Sequence, residues 1–121
     1  MAPIRYLVRD VDEAVKFYST ALGFRLDRQF GPAMAILSRN DLTLWLAGPT
    51  ASASRRVSDG RSPEPGGWNR FVLEVSDVTS LVERLRAQGV RFRGEVVKGP
   101  GGQQILCEDP SGNPIELFQP S

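Results

Sequence analysis

Histidine is absent from this chain and cysteine nearly so, with a single Cys107, while fifteen basic residues against fourteen acidic ones leave a net charge of only +1. Without imidazole, a first-row metal site must lean on carboxylates, and a Ser–His or Cys–His nucleophile pair has no base. One cysteine excludes an intrachain disulfide and a cysteine-based zinc site, and fits a reducing cytoplasm. The near-zero charge offers no global field toward nucleic acid or an anionic membrane. No apolar run approaches the ~20 residues of a spanning helix. The start Met1-Ala2-Pro3-Ile4-Arg5 lacks the charged head, apolar stretch and cleavage site of a secretory signal. These absences together lead us to expect a soluble, unprocessed cytoplasmic protein whose partners are small neutral or locally charged molecules.

The 121 residues, 40% of them hydrophobic, suffice for one domain, burying roughly 65% of the surface its unfolded chain exposes. Asp10 opens an amphipathic segment in which Val11, Val15, Tyr18 and Leu22 recur at helical spacing, with Glu13 placed for a capping box and Gly23 as the stop. The same grammar returns further on, with Asp77 as N-cap, Val78, Leu81, Val82 and Leu85 on one stripe, and Gly89 as the stop. Each helix follows a strand, at 4–8 and 70–75. Each is followed by three more, at 24–30, 33–38 and 42–47, then at 90–97, 103–108 and 114–119. The order strand, helix, strand, strand, strand occurs twice, so the chain reads as a duplicated unit.

Residues 1–48 and 68–121 are the two expected modules. Between them, residues 49–67 exchange periodic apolar residues for Gly, Pro, Ser, Ala and Arg, the composition of a mobile linker or of a lid over a pocket. Alternation along the strands sets one uniformly apolar face, carrying Tyr6, Leu44, Leu46, Leu73, Ile115 and Leu117, against the helices. The other face mixes Trp, Phe, Arg and Glu, as a concave binding surface does.

The chain closes on Asp109-Pro110-Ser111-Gly112-Asn113-Pro114-Ile115-Glu116-Leu117, a tight turn feeding a last strand on which Glu116 points away from Ile115 and Leu117. A carboxylate in that setting is a metal ligand or the partner of a cation. Gly99-Pro100-Gly101-Gly102 joins two strands and is followed by Gln103 rather than by Lys and a helix, so it reads as a hairpin connection and not as a phosphate loop.

Paired strand-helix-strand-strand-strand units, Val8-Arg9-Asp10-Val11 and Val75-Ser76-Asp77-Val78 before the helices, Leu22-Gly23-Phe24 after the first, and the closing motif together resemble the vicinal oxygen chelate superfamily. That superfamily includes glyoxalases, extradiol dioxygenases, fosfomycin-resistance transferases and bleomycin-resistance proteins. The resemblance implies an α+β fold in which two βαβββ modules form a curved mixed sheet around a cleft, with the helices outside. It also implies a homodimer with clefts between modules of one chain or of both. In metal-dependent members it implies one ligand on the first strand and one on the last strand of each module. Carried onto this chain, those positions fall on Pro3 and Arg70, then on Trp45 and Glu116, of which only Glu116 has a ligand-type side chain.

The departure resembles the metal-free binding branch, with Arg70 supplying a permanent positive charge and Trp45 an aromatic plate. The expected ligand-binding residues are Arg5, Trp45, Trp68, Arg70, Glu116 and Phe118, with no metal, cofactor or catalytic residue. The expected act is reversible capture of a planar or aromatic compound such as an antibiotic. Other readings stay open: a metal-dependent lyase or dioxygenase, a metal-free enzyme with Glu116 as general base, or a regulatory module. Glu116 and Arg70 also fit a purely structural ion pair, the tryptophans fit core positions, and Cys107 fits a small buried apolar group.

Overall fold

Asp10 and Asp77 act alike: each sits in extended conformation and accepts a backbone N–H from three residues on, Glu13 at 3.0 Å and Ser80 at 3.1 Å. Those caps satisfy amides that the first helical turn leaves unpaired. They open helix α1 (Val11–Ala21) and helix α2 (Val78–Ala87), and both helices end before a glycine at positive φ, Gly23 at 71° and Gly89 at 83°. The computed structural model describes residues 2–121.

Around the helices run the strands β1 (Ile4–Leu7), β2 (Arg25–Phe30), β3 (Met34–Arg39), β4 (Leu42–Ala47), β5 (Val72–Glu74), β6 (Arg91–Gly99), β7 (Gly102–Glu108) and β8 (Pro114–Pro120). They form two four-stranded mixed sheets of identical topology, β1-β4-β3-β2 and β5-β8-β7-β6, each with one parallel pair and two antiparallel pairs. The architecture is α+β with the duplicated order that the sequence suggests. Strand β5 is shorter than expected: Arg70 and Phe71 lie before it, although Glu116 N still donates to Phe71 O at 3.1 Å. Strand β6 is longer and continues to the turn at Gly99.

The chain divides into two compact units. In the first, comprising 2–66 and Pro110–Asn113, α1 buries Val11, Ala14 and Tyr18 with Leu37, Leu44 and Leu46. Tyr18 meets Phe24 edge-on, with ring centroids 5.4 Å apart. The short turn 110–113 belongs to this unit through buried polar groups. Asn113 Nδ2 donates to Leu7 O at 2.7 Å, its Oδ1 accepts from Gly66 N at 2.8 Å, and Ser111 Oγ accepts from Arg9 N at 2.9 Å. Residues 49–66 hold a 3₁₀ turn at Ser52–Ser54, where Ser54 Oγ donates to Gly48 O at 2.8 Å, and a tight turn closed by Val57 N to Arg61 O at 2.9 Å.

In the second unit, 67–109 with Pro114–Ser121, α2 buries Val78, Val82 and Leu85 in the same core as Leu73, Ile115 and Leu117. Each sheet thus spends its apolar face on its own helix, and the opposite faces carry the mixed residues.

Candidate functional site

Register places four side chains of the second sheet in one row: Val72 opposes Glu116, Glu116 opposes Leu106, and Leu106 opposes Arg93. Residues directly opposite one another project from the same face. Glu116 is one of the few buried charged residues, and Arg70 reaches it from just before β5. Nε and Nη2 of Arg70 both donate to Glu116 Oε1, at 3.1 and 2.9 Å. Oε2 receives no bond from the described residues and is not sealed off from solvent. Arg70 is also tied to Trp68 O at 3.2 Å.

Arg93, across Leu106 from Glu116, donates to Glu108 Oε2 at 2.7 Å and to Gly67 O at 2.6 Å, and its guanidinium lies 4.5 Å from the centre of the Trp68 ring. Two arginines therefore hold the backbone at Gly67 and Trp68. Trp68 remains 67% exposed, an indole on a fixed mount with one side capped by a cation. Arg91 lies 3.8 Å from the other oxygen of Glu108. Phe118, two residues beyond Glu116, opposes Glu74 and Gln104 on the same face and is half-buried.

The first sheet has its own row: Arg5 opposes Trp45, Trp45 opposes Ile36, and Ile36 opposes Arg28. The Arg5 guanidinium rests 5.1 Å from the centre of the half-buried Trp45 ring. Arg28 rests 4.7 Å from the Phe30 ring. Trp45 and Glu116 hold equivalent places, each on the last strand of its module and opposite the first.

A cavity of about 200 Å³ in the first unit is lined by the start of α1 with Pro32, Pro49 and Thr50. It contains none of the six expected residues and no aromatic side chain, so it offers no stacking surface. Cys107 is fully buried on the core side of β7; burial, more than the nearby Asp109 and Glu108 charges, pushes its thiol up to about 12. It has no thiolate at neutral pH with which to act as a nucleophile.

A family profile described as Glyoxalase/Bleomycin resistance protein/Dioxygenase superfamily matches residues 1–117. The chain belongs to that superfamily. A lactoylglutathione lyase of Arabidopsis thaliana is 27% identical over 94% of this chain, and a probable chloroplastic lactoylglutathione lyase of the same plant is 28% identical over 98%. The chain spans only 42% and 35% of those two relatives. Among solved structures, TnmS3, an antibiotic binding protein from Streptomyces sp. CB03234, is 28% identical with a TM-score of 0.70, covering 100% of this chain and 97% of that one. A superfamily member from Sphaerobacter thermophilus is 25% identical with a TM-score of 0.76, covering 98% and 95%.

The resemblance implies that metal-dependent members of the superfamily draw ligands from positions matching Pro3, Trp45, Arg70 and Glu116 of this chain. That set does not fit a divalent cation: a proline and an indole offer no donor, and the one carboxylate is engaged by a guanidinium. Among the described residues no group of three or more His, Cys, Asp or Glu side chains is placed to hold an ion.

Arg5 and Trp45 lie together on the first sheet, while Trp68, Arg70, Glu116 and Phe118 lie on the second unit. Arg28, Arg91, Arg93 and Glu108 join these faces although sequence reasoning passed over them. A basic residue beside an aromatic on the mixed face was the available signal.

Proposed function

We propose that this chain binds a planar or aromatic small molecule, such as an antibiotic, reversibly and without a metal ion, through the aromatic and charged side chains of its open sheet faces. The observation that carries this reading is the Arg70–Glu116 pair. A permanent cation takes the one carboxylate at a ligand-type position, while the surrounding surface keeps indole and phenyl rings for stacking. The likeness to TnmS3 over nearly the full length of both chains supports it. Protective capture calls for micromolar affinity or better, about 8 kcal/mol.

Intrinsic fluorescence tests the proposal, since Trp45 and Trp68 stand on the two faces. Planar compounds drawn from antibiotics and aromatic metabolites are expected to shift or quench the emission saturably, and elemental analysis to find no stoichiometric metal. One tightly bound ion per chain, lost in Glu116→Ala and required for turnover, would overturn it and establish the lyase reading that the plant relatives suggest.

The accessible Oε2 of Glu116 favours a second reading, in which the carboxylate takes a proton from a bound acidic C–H or O–H group while Arg70 steadies the anion. Turnover by metal-free protein that Glu116→Gln abolishes would establish this reading.

A further inference from the structure

The two open faces differ in charge. On the second sheet, Arg70 is answered by Glu116, Arg91 and Arg93 share Glu108, and Glu74 adds a further negative charge. On the first sheet, Arg5 and Arg28 have no carboxylate partner among the described residues. The carboxylate nearest in β2, Asp27, is committed to Arg25 at 2.7 Å and to Ser38, bonds that hold it below its ordinary range. What remains is a row of four strands, Arg5-Trp45-Ile36-Arg28, with a cation at each end and an apolar centre.

From this row we infer that the open face of the first sheet selects an anionic planar ligand, an aromatic carboxylate or a comparable arene-borne anion. The inference rests on the proposed binding of planar molecules and names their charge class. Strand spacing puts the two outer backbones about 14 Å apart, room for a one- or two-ring body over Ile36 and Trp45. Each guanidinium rests on a ring, Arg5 on Trp45 and Arg28 on Phe30, which orders it before any ligand arrives and leaves N–H groups at its edge for an oxyanion. A cation already lying on the Trp45 ring also disfavours a second cation there, so a positively charged arene is rejected twice, by the charge and by the ring.

Calorimetric titration with three naphthyl compounds of differing charge, 2-naphthoate, its isostere 2-naphthamide and 2-naphthylmethylammonium, tests the inference. Naphthoate is expected to bind about tenfold or more tightly than the neutral amide, more so at low salt, with the ammonium weakest. Arg5→Gln and Arg28→Gln, both at exposed side chains and checked by thermal melting, are expected to bring the naphthoate-to-naphthamide ratio toward one, the ratio cancelling any change in stacking that the two ligands share. Equal affinity for naphthoate and naphthamide overturns the anionic class and leaves planar-ligand binding standing. A preference for naphthoate that survives both variants overturns the assignment to this row. Absence of binding by all three removes the underlying reading and this inference together.

Discussion

Arg70 directs two of its nitrogens, at 3.1 and 2.9 Å, to a single oxygen of Glu116. Side-on sharing of one oxygen, rather than a fork across both, leaves the carboxylate satisfied on one side and open on the other. The pair is only partly screened, with side-chain exposures of 30% for Arg70 and 11% for Glu116. Such a pair has a structural cost when broken and still has an acceptor to offer.

Replacing one partner strands the other. Glu116→Gln keeps the shape and removes the charge, and is expected to lower unfolding free energy by about 1–3 kcal/mol in urea titration with an unchanged slope. A double-mutant cycle with Arg70→Met should return a coupling of similar size. Coupling near zero would mean that solvent already screens the pair.

Cys107 gives a pH dependence with a definite sign. Its thiol moves from an ordinary 9.0 to about 12 on folding, so between those values the folded chain holds a proton that the unfolded chain has released. The stability contribution is complete below pH 9 and is lost as pH rises toward about 12, by about 1.4 kcal/mol per unit. Denaturation at several alkaline pH values should show this slope, and Cys107→Ala should lack it. At pH 8 the folded protein should leave a thiol reagent unreacted until denaturant is added.

Asn113 satisfies two backbone groups at once, accepting from Gly66 N and donating to Leu7 O. Asn113→Ala is expected to cost about 1–3 kcal/mol, and amide exchange at Gly66 should quicken beyond what that global loss explains. Unchanged protection there would show that the bond does not persist in solution.

Gly48 and Gly101 should respond in opposite ways to alanine. A Cβ at Gly48 would stand 2.6 Å from Pro32 O and 2.8 Å from Val11 Cγ2, whereas one at Gly101 meets nothing within 4 Å. Gly48→Ala is expected to destabilise by about 1–3 kcal/mol and Gly101→Ala to stay within about 0.5 kcal/mol, both read by thermal melting.

The fold was legible because its signals are local. Asp10 with Gly23, and Asp77 with Gly89, mark helix ends through backbone chemistry that any sequence window contains. Alternation likewise separates Leu44 and Leu46 from Trp45. Lateral neighbours were less legible, since they depend on register. In β2 the pairing slips at Asp27: Leu26 opposes Leu37 on the helix side, yet Arg28, two residues on, opposes Ile36 on the open side. Strict alternation would keep Leu26 and Arg28 together, and the extra residue parts them. Arg93 meets Trp68, a residue that lies outside every strand, so alternation along strands could not place the two together. Arg70 was found as a charge on a strand, whereas it stands ahead of β5, where its side chain reaches Glu116 and Trp68 O together.

The small turn at Pro110–Asn113 imposes an order on the protein's birth. A ribosome delivers Leu7 and Gly66 well before Asn113, yet Asn113 completes the hydrogen bonding of both. Those two bonds to the leading half must therefore wait until this turn has emerged. Translation pauses ahead of this turn would prolong that vulnerable interval, and nascent chains halted before it should be the ones proteases clip.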